Sequence, residues 1–130
     1  MSILNKLYEE FENEIVDEFL EHLDIITDSL EIIITNLSED NYEESINELF
    51  RIFHNLKSAT AYLHLKRINI FSQLVEDILE VARKRESFNE DFRDWLYLTA
   101  EQLEIWQSNI NGNGELSPIN PKILDIPEGY

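Results

Sequence analysis

Cysteine is absent from this chain of 130 residues, and glycine and proline are scarce, with three of each. Without cysteine there is no disulfide, no thiolate zinc site and no cysteine nucleophile. All three glycines (Gly112, Gly114, Gly129) and all three prolines (Pro118, Pro121, Pro127) follow Asn111. Glycine and proline are the main local punctuation of turns, so an all-β or α/β reading of the residues before that point would be odd. Positive charge is scarce too: 10 basic against 27 acidic side chains, a net charge of −17. Affinity for nucleic acid comes largely from cations on phosphates, and anionic membrane attracts the same groups. Neither is expected as a partner. No apolar run approaches the roughly 18 residues of a membrane span. Residues 1–10 lack the basic-then-apolar layout of a secretion signal, so a cytoplasmic protein is expected. Hydrophobic residues make up 43% of the chain, enough for a core despite the acidity. The length suits one domain.

What is present is helical periodicity. Leu4, Leu7, Phe11, Ile15, Phe19, Leu23, Ile26, Leu30, Ile33 and Leu37 recur every three or four residues, as one face of a helix does. That stripe predicts a long first helix from about Ser2 to Asn36. At 1.5 Å per residue it would extend about 50 Å, more than a small bundle needs, so it either projects or breaks near Glu12–Glu14. Ser38–Asn41 reads as a polar turn, with Asn41 and Glu44 suited to open a second helix. This helix carries Ile46, Leu49, Phe53, Leu56 and Leu63. A third carries Ile68, Phe71, Val75, Ile78, Leu79 and Ala82 and ends in Arg83-Lys-Arg85, cations matched to the negative end of the helix dipole. Ser87 with Glu90 has the form of a capping box for a fourth helix carrying Phe92, Leu96, Leu103 and Trp106. The expectation is an all-α protein. Residues 1–111 would form an antiparallel up-and-down four-helix bundle, and residues 112–130 an irregular tail acting as linker, packed cap or partner peptide.

Residues 51–67 hold four cations (Arg51, Lys57, Lys66, Arg67) and no acid. An island of +4 in a strongly negative chain can serve a small anion even when the net charge cannot. His54 lies inside it. At about 100° of rotation per residue, His54 falls roughly 160° from the centre of the arc formed by Leu49, Ile52, Phe53, Leu56, Ala59, Thr60 and Leu63, so it should face solvent. Asn47, Phe50, Ser58 and Ala61 share its face, and Lys57 lies one turn along. Neutral imidazole is a good nucleophile, and its ordinary pKa leaves much of it neutral near pH 7. Phosphoryl transfer asks little beyond position and charge neutralisation, and Lys57 can supply a point charge to a phosphoryl oxygen.

The run His54-Asn-Leu-Lys57-Ser-Ala-Thr-Ala-Tyr-Leu63-His-Leu resembles the motif of the histidine-containing phosphotransfer family, H-x-L-K-G-x-x-x-x-[LF]-G. The lead-in Leu49-Phe-Arg-Ile-Phe53 fits it as well. The continuation Leu74-Val-Glu76-Asp-Ile-Leu-Glu-Val-Ala-Arg83 looks most like the phosphotransfer domain at the front of chemotaxis kinases of the CheA type. The similarity spans about Ile15 to Ile110. It implies a helical bundle in which His54 is phosphorylated, Lys57 assists, and Glu76 accepts a hydrogen bond from the other ring nitrogen. It also implies two partners, a response-regulator receiver domain and a histidine kinase catalytic domain. These would dock around the ring, on the face expected to hold Phe50, Arg51, Ser58, Ala61 and Gln73. Three positions depart from the pattern. The first glycine is Ser58. The second is His64, expected to end its helix in left-handed geometry. Gln73 stands where the chemotaxis domains often have a histidine.

Other chemistries find little support. A di-iron bundle needs Glu-x-x-His on facing helices, and Phe19, Arg51 and Ala61 occupy the places three before the histidines. Three scattered histidines give no zinc signature. No Gly-rich loop can cradle a nucleotide, so a complete kinase is not expected within this chain, nor is a metal or other cofactor. Trp95 and Trp106 read as core and bundle-edge packing. The rival functional reading is a helical adaptor, or a degenerate phosphotransfer fold that binds a receiver without carrying phosphate.

Overall fold

The computed structural model describes residues 2–85 and 89–127. Among these the chain forms α1 (Ile3–Glu10), α2 (Asn13–Asn36), α3 (Tyr42–Tyr62), α4 (Lys66–Ala82) and α5 (Glu90–Asn111), then a 3-10 turn at Pro121–Leu124. No strand occurs among the described residues, so the fold is all-α as expected. No helix there is long and apolar enough to cross a membrane.

The expected long first helix is corrected to two: of the two courses open to its stripe the break is taken, at Phe11–Glu12. Phe11 and Glu12 take extended backbone angles and separate α1 from α2. A continuous helix would stack Glu10 one turn before Glu14, a like-charge pair. The break instead places Glu14 in the first turn of α2, where the helix dipole favours an acid. It also lets Phe11 pack its ring against Tyr62 and His64, with centroids 5.6 Å away in both cases. The redirected α1 lies against α2 and α5. The Ser2 hydroxyl caps it by accepting from Asn5 N–H and donates to Asn113 Oδ1, while Ile3 N–H donates to the Gly114 carbonyl.

Two antiparallel helix pairs carry most of the structure. In the first, α3 packs along α4, and the Tyr42 hydroxyl at the start of α3 donates to the carbonyl of Ala82 at the end of α4 (2.8 Å). In the second, α2 packs along α5. Arg93 in the first turn of α5 donates to the carbonyls of Ile34, Thr35 and Leu37, a cation on the orphan acceptors that end α2. The pairs meet where α2 contacts α3. A column of edge-to-face rings, Phe53 on Phe71 and Phe71 on Trp106, joins α3, α4 and α5 through the core. Each of these fully buried aromatic side chains contributes about 1.5–3 kcal/mol or more.

Asn41 is the N-cap residue of α3 as expected, without the expected side-chain bond. The side chain instead accepts from Ser38 N–H and donates to the Asn36 carbonyl, closing the α2–α3 turn. Ser87 lies outside the described residues; α5 begins at Glu90, and the Asn89 side chain caps it by accepting from Phe92 N–H. Arg83 is the C-cap of α4 rather than part of its last turn.

Residues 112–127 fold back over α5. The indole N–H of Trp95 donates to the Ile123 carbonyl and that of Trp106 to the Ser117 carbonyl, each at 2.8 Å. Ile123 is fully buried. Of the three roles open to the tail, packed cap is the one its contacts match.

Candidate functional site

Helix α3 presents its apolar residues inward and His54 outward. Leu49, Phe53, Leu56, Thr60 and Leu63 are buried, and the His54 side chain is 51% exposed. Glu76 reaches it from the neighbouring α4. Its Oε1 lies 3.4 Å from His54 Nδ1, the long end of hydrogen-bond range, so Glu76 engages Nδ1 rather than Nε2 across the ring. The same carboxylate holds Lys57, one turn along α3, with Nζ 3.0 Å from Oε1 and 2.8 Å from Oε2. Glu76 is only 12% exposed and Lys57 26%, so the ion pair is partly shielded beneath a half-exposed ring.

Burial pushes the Glu76 carboxyl upward, but hydrogen bonds and charge from Lys57 and His54 outweigh it and hold the group below the usual carboxylate range. The carboxylate therefore stays ionised, and an acceptor at Nδ1 favours the tautomer with hydrogen there, with the lone pair on Nε2.

The surrounding residues sort themselves by distance from the ring. Phe50, one turn before His54, lies nearly parallel to it, with centroids 6.0 Å apart and 13° between planes. Ser58 and Ala61 are exposed on α3. The Ser58 hydroxyl donates back to the His54 carbonyl at 3.3 Å, so it is spent on the helix. Arg51 is exposed. Gln73 on α4 donates to Asp77 Oδ1 at 2.8 Å. The cation island divides: Lys57 joins the histidine, while Arg67 reaches the carbonyls of Leu116 and Ser117 in the tail. Asn47 lies on the histidine's face as the helical spacing placed it; sequence reasoning missed Arg83 as a neighbour of the site. Arg83 stands 4.3 Å over the Phe50 ring and donates to Asn47 Oδ1 at 2.9 Å. The available signal was an aromatic residue four before the histidine on an otherwise polar face. Among the described residues no group of three or more metal-binding side chains gathers.

The family model described as Hpt domain matches residues 13–109. The chain belongs to the Hpt family. This makes it a phosphotransfer domain of two-component signalling. Among curated proteins, chemotaxis protein CheA of Borreliella burgdorferi is 30% identical over 110 residues, a match covering 82% of this chain and 13% of that protein. The chain thus spans a small part of the relative's length. No solved structure matches at a significant level. Within this Hpt domain the departures from the motif have local explanations. His64 adopts φ 58°, the left-handed geometry glycine would otherwise supply. There its ring meets Phe11 edge-on and its Nδ1 lies 3.5 Å from Glu10. Ser58 is accommodated by its bond to the helix backbone.

Proposed function

We propose that this Hpt domain carries a phosphoryl group on His54 within a cytoplasmic phosphorelay or chemotaxis system. The donor is the catalytic domain of a histidine kinase or the aspartyl phosphate of a receiver, and the acceptor is the aspartate of a response-regulator receiver. The observation that carries this reading is the shared carboxylate: one Glu76 touches His54 Nδ1 and Lys57 Nζ together beneath an imidazole open to solvent.

In the step from a receiver, the Nε2 lone pair attacks phosphorus, a P–N bond forms, and the bond to the carboxyl oxygen breaks, its electron pair leaving on the receiver aspartate. The Nδ1 proton remains on the ring. The phosphorylated imidazole then carries positive charge next to the Glu76 carboxylate, and Lys57 offsets charge on the phosphoryl oxygens. The Mg²⁺ that assists belongs to the partner. Phe50, Arg51, Ser58, Ala61 and Gln73 form the docking face around the ring. The antiparallel pairing of α3 with α4 and of α2 with α5 supports an up-and-down four-helix bundle built from α2 to α5, with α1 and the tail of residues 112–130 as additions.

Incubation with a phosphorylated receiver tests the reading. Acid-labile, base-stable label is expected on this chain and is expected to vanish in His54→Gln. Binding of the receiver without label would leave an adaptor, and label persisting in His54→Gln would move the site elsewhere.

A further inference from the structure

The Glu76 contact leaves one question about the nucleophile open, namely what sets the plane of the imidazole. A single long contact at Nδ1 holds one edge of the ring and does not prevent rocking about that edge. The second restraint is Phe50, whose ring lies within 13° of parallel to His54. Phe50 is only half-buried, so core packing does not by itself lock its orientation.

Arg83 does. Its guanidinium carbon sits 4.3 Å from the Phe50 centroid, within cation–π range. The guanidinium is itself fixed at two points: Nε donates to Asn47 Oδ1 at 2.9 Å and Nη1 to Glu80 Oε2 at 3.0 Å. A planar fork bonded twice has little freedom left. Asn47, Phe50 and His54 follow one another along α3 at spacings of three and four, so they are neighbours on one face. The anchor of Arg83 lies one turn before Phe50, and the nucleophile lies one turn after it.

We infer that Arg83 is a positioning residue for His54, acting through Phe50: the guanidinium orients the phenyl ring, and the phenyl ring holds the imidazole in the plane that aims Nε2 outward. Arg83 does not touch the imidazole and carries no proton or phosphoryl group. The inference rests on the reading of His54 as the phosphorylated residue.

The test uses the whole chain with phosphoramidate, a small phosphoryl donor that needs no protein docking. It is paired with NMR relaxation of the His54 ring in the unphosphorylated protein. Arg83→Gln removes the cation; Phe50→Leu keeps apolar bulk but removes the ring face. Each is expected to lower the phosphorylation rate roughly three- to fivefold, the effect one exposed cation–π contact can supply. Each is also expected to raise the mobility of the His54 ring. The double variant should be no slower than Phe50→Leu alone, because both act through one path, and Arg83→Lys should recover part of the rate. Wild-type rate and ring order in Arg83→Gln would overturn the inference. So would additive losses in the double variant, or a defect with a receiver that is absent with phosphoramidate, which would make Arg83 a docking residue. The relaxation measurement needs no phosphoryl transfer. A wild-type protein that takes no label on His54 therefore sinks the preceding function alone, and the ring order still decides the role of Arg83.

Discussion

At the scale of single residues, Glu76 governs the site because it serves two partners. Lys57 neutralises the Glu76 carboxylate, and in the proposed transfer it turns from that carboxylate to the phosphoryl oxygens. Lys57→Ala is expected to slow transfer roughly tenfold, the factor that ~1.4 kcal/mol of lost charge stabilisation gives, while circular dichroism shows the fold unchanged. Glu76→Gln keeps an acceptor for Nδ1–H but loses the charge. A carboxyl held below its ordinary value of 4.5 in the folded protein stabilises the fold above that pH, and the contribution disappears as the pH falls through the lowered value. Thermal melts of wild type and Glu76→Gln should therefore differ at pH 7, with wild type the more stable, and converge in acid.

At the scale of elements, the helices are held in register by a few polar contacts laid over apolar faces. Tyr42→Phe removes the hydroxyl that ties the start of α3 to the end of α4 and leaves the Ala82 carbonyl short of a buried donor. A loss of about 1–2 kcal/mol is expected in urea denaturation. The α2–α5 seam shows the opposite case. Burial, and then the charges of Glu31, Glu101 and Asp28, push the Glu104 carboxyl upward. A raised carboxyl means that the folded state disfavours its ionised form, so stability rises as the pH falls through the raised value. Glu104→Gln is expected to stabilise the fold at pH 7 by no more than ~0.5 kcal/mol for so exposed a group, read as a higher melting temperature, and to have no effect below the carboxyl range. The break between α1 and α2 belongs to this scale as well. It separates Glu10 from Glu14 and frees Phe11 to cover Tyr62 and His64.

For the molecule as a whole, the tail and the charge matter most. The tail returns across α5 to engage both tryptophans and to bury Ile123. Removing residues 112–130 should lower the melting temperature by about 5–10 °C, at roughly 4 °C per kcal/mol for a chain of this size. It should also shift tryptophan emission to the red while the helical signal survives. A net charge of −17 makes the folded chain repel itself, so moderate salt should stabilise it by screening. The same screening reaches the shielded Lys57–Glu76 pair much less.

The helical class, the end of the last long helix at Asn111 and the solvent-facing histidine were legible in the sequence, because they depend on local periods and breakers: a stripe every three or four residues, glycine and proline confined to the end, and a histidine opposite the apolar arc. The spacing His54-x-x-Lys57 was legible for the same reason, and the left-handed turn at His64 followed from its place at the end of a helix. The link from Glu76 to both side chains, the guanidinium of Arg83 over Phe50, the break at Phe11 and the return of the tail onto Trp95 and Trp106 were decided only by tertiary structure. Each depends on distances between residues far apart in the chain. Helical periodicity places a side chain on a face, and packing alone determines which neighbour it meets there.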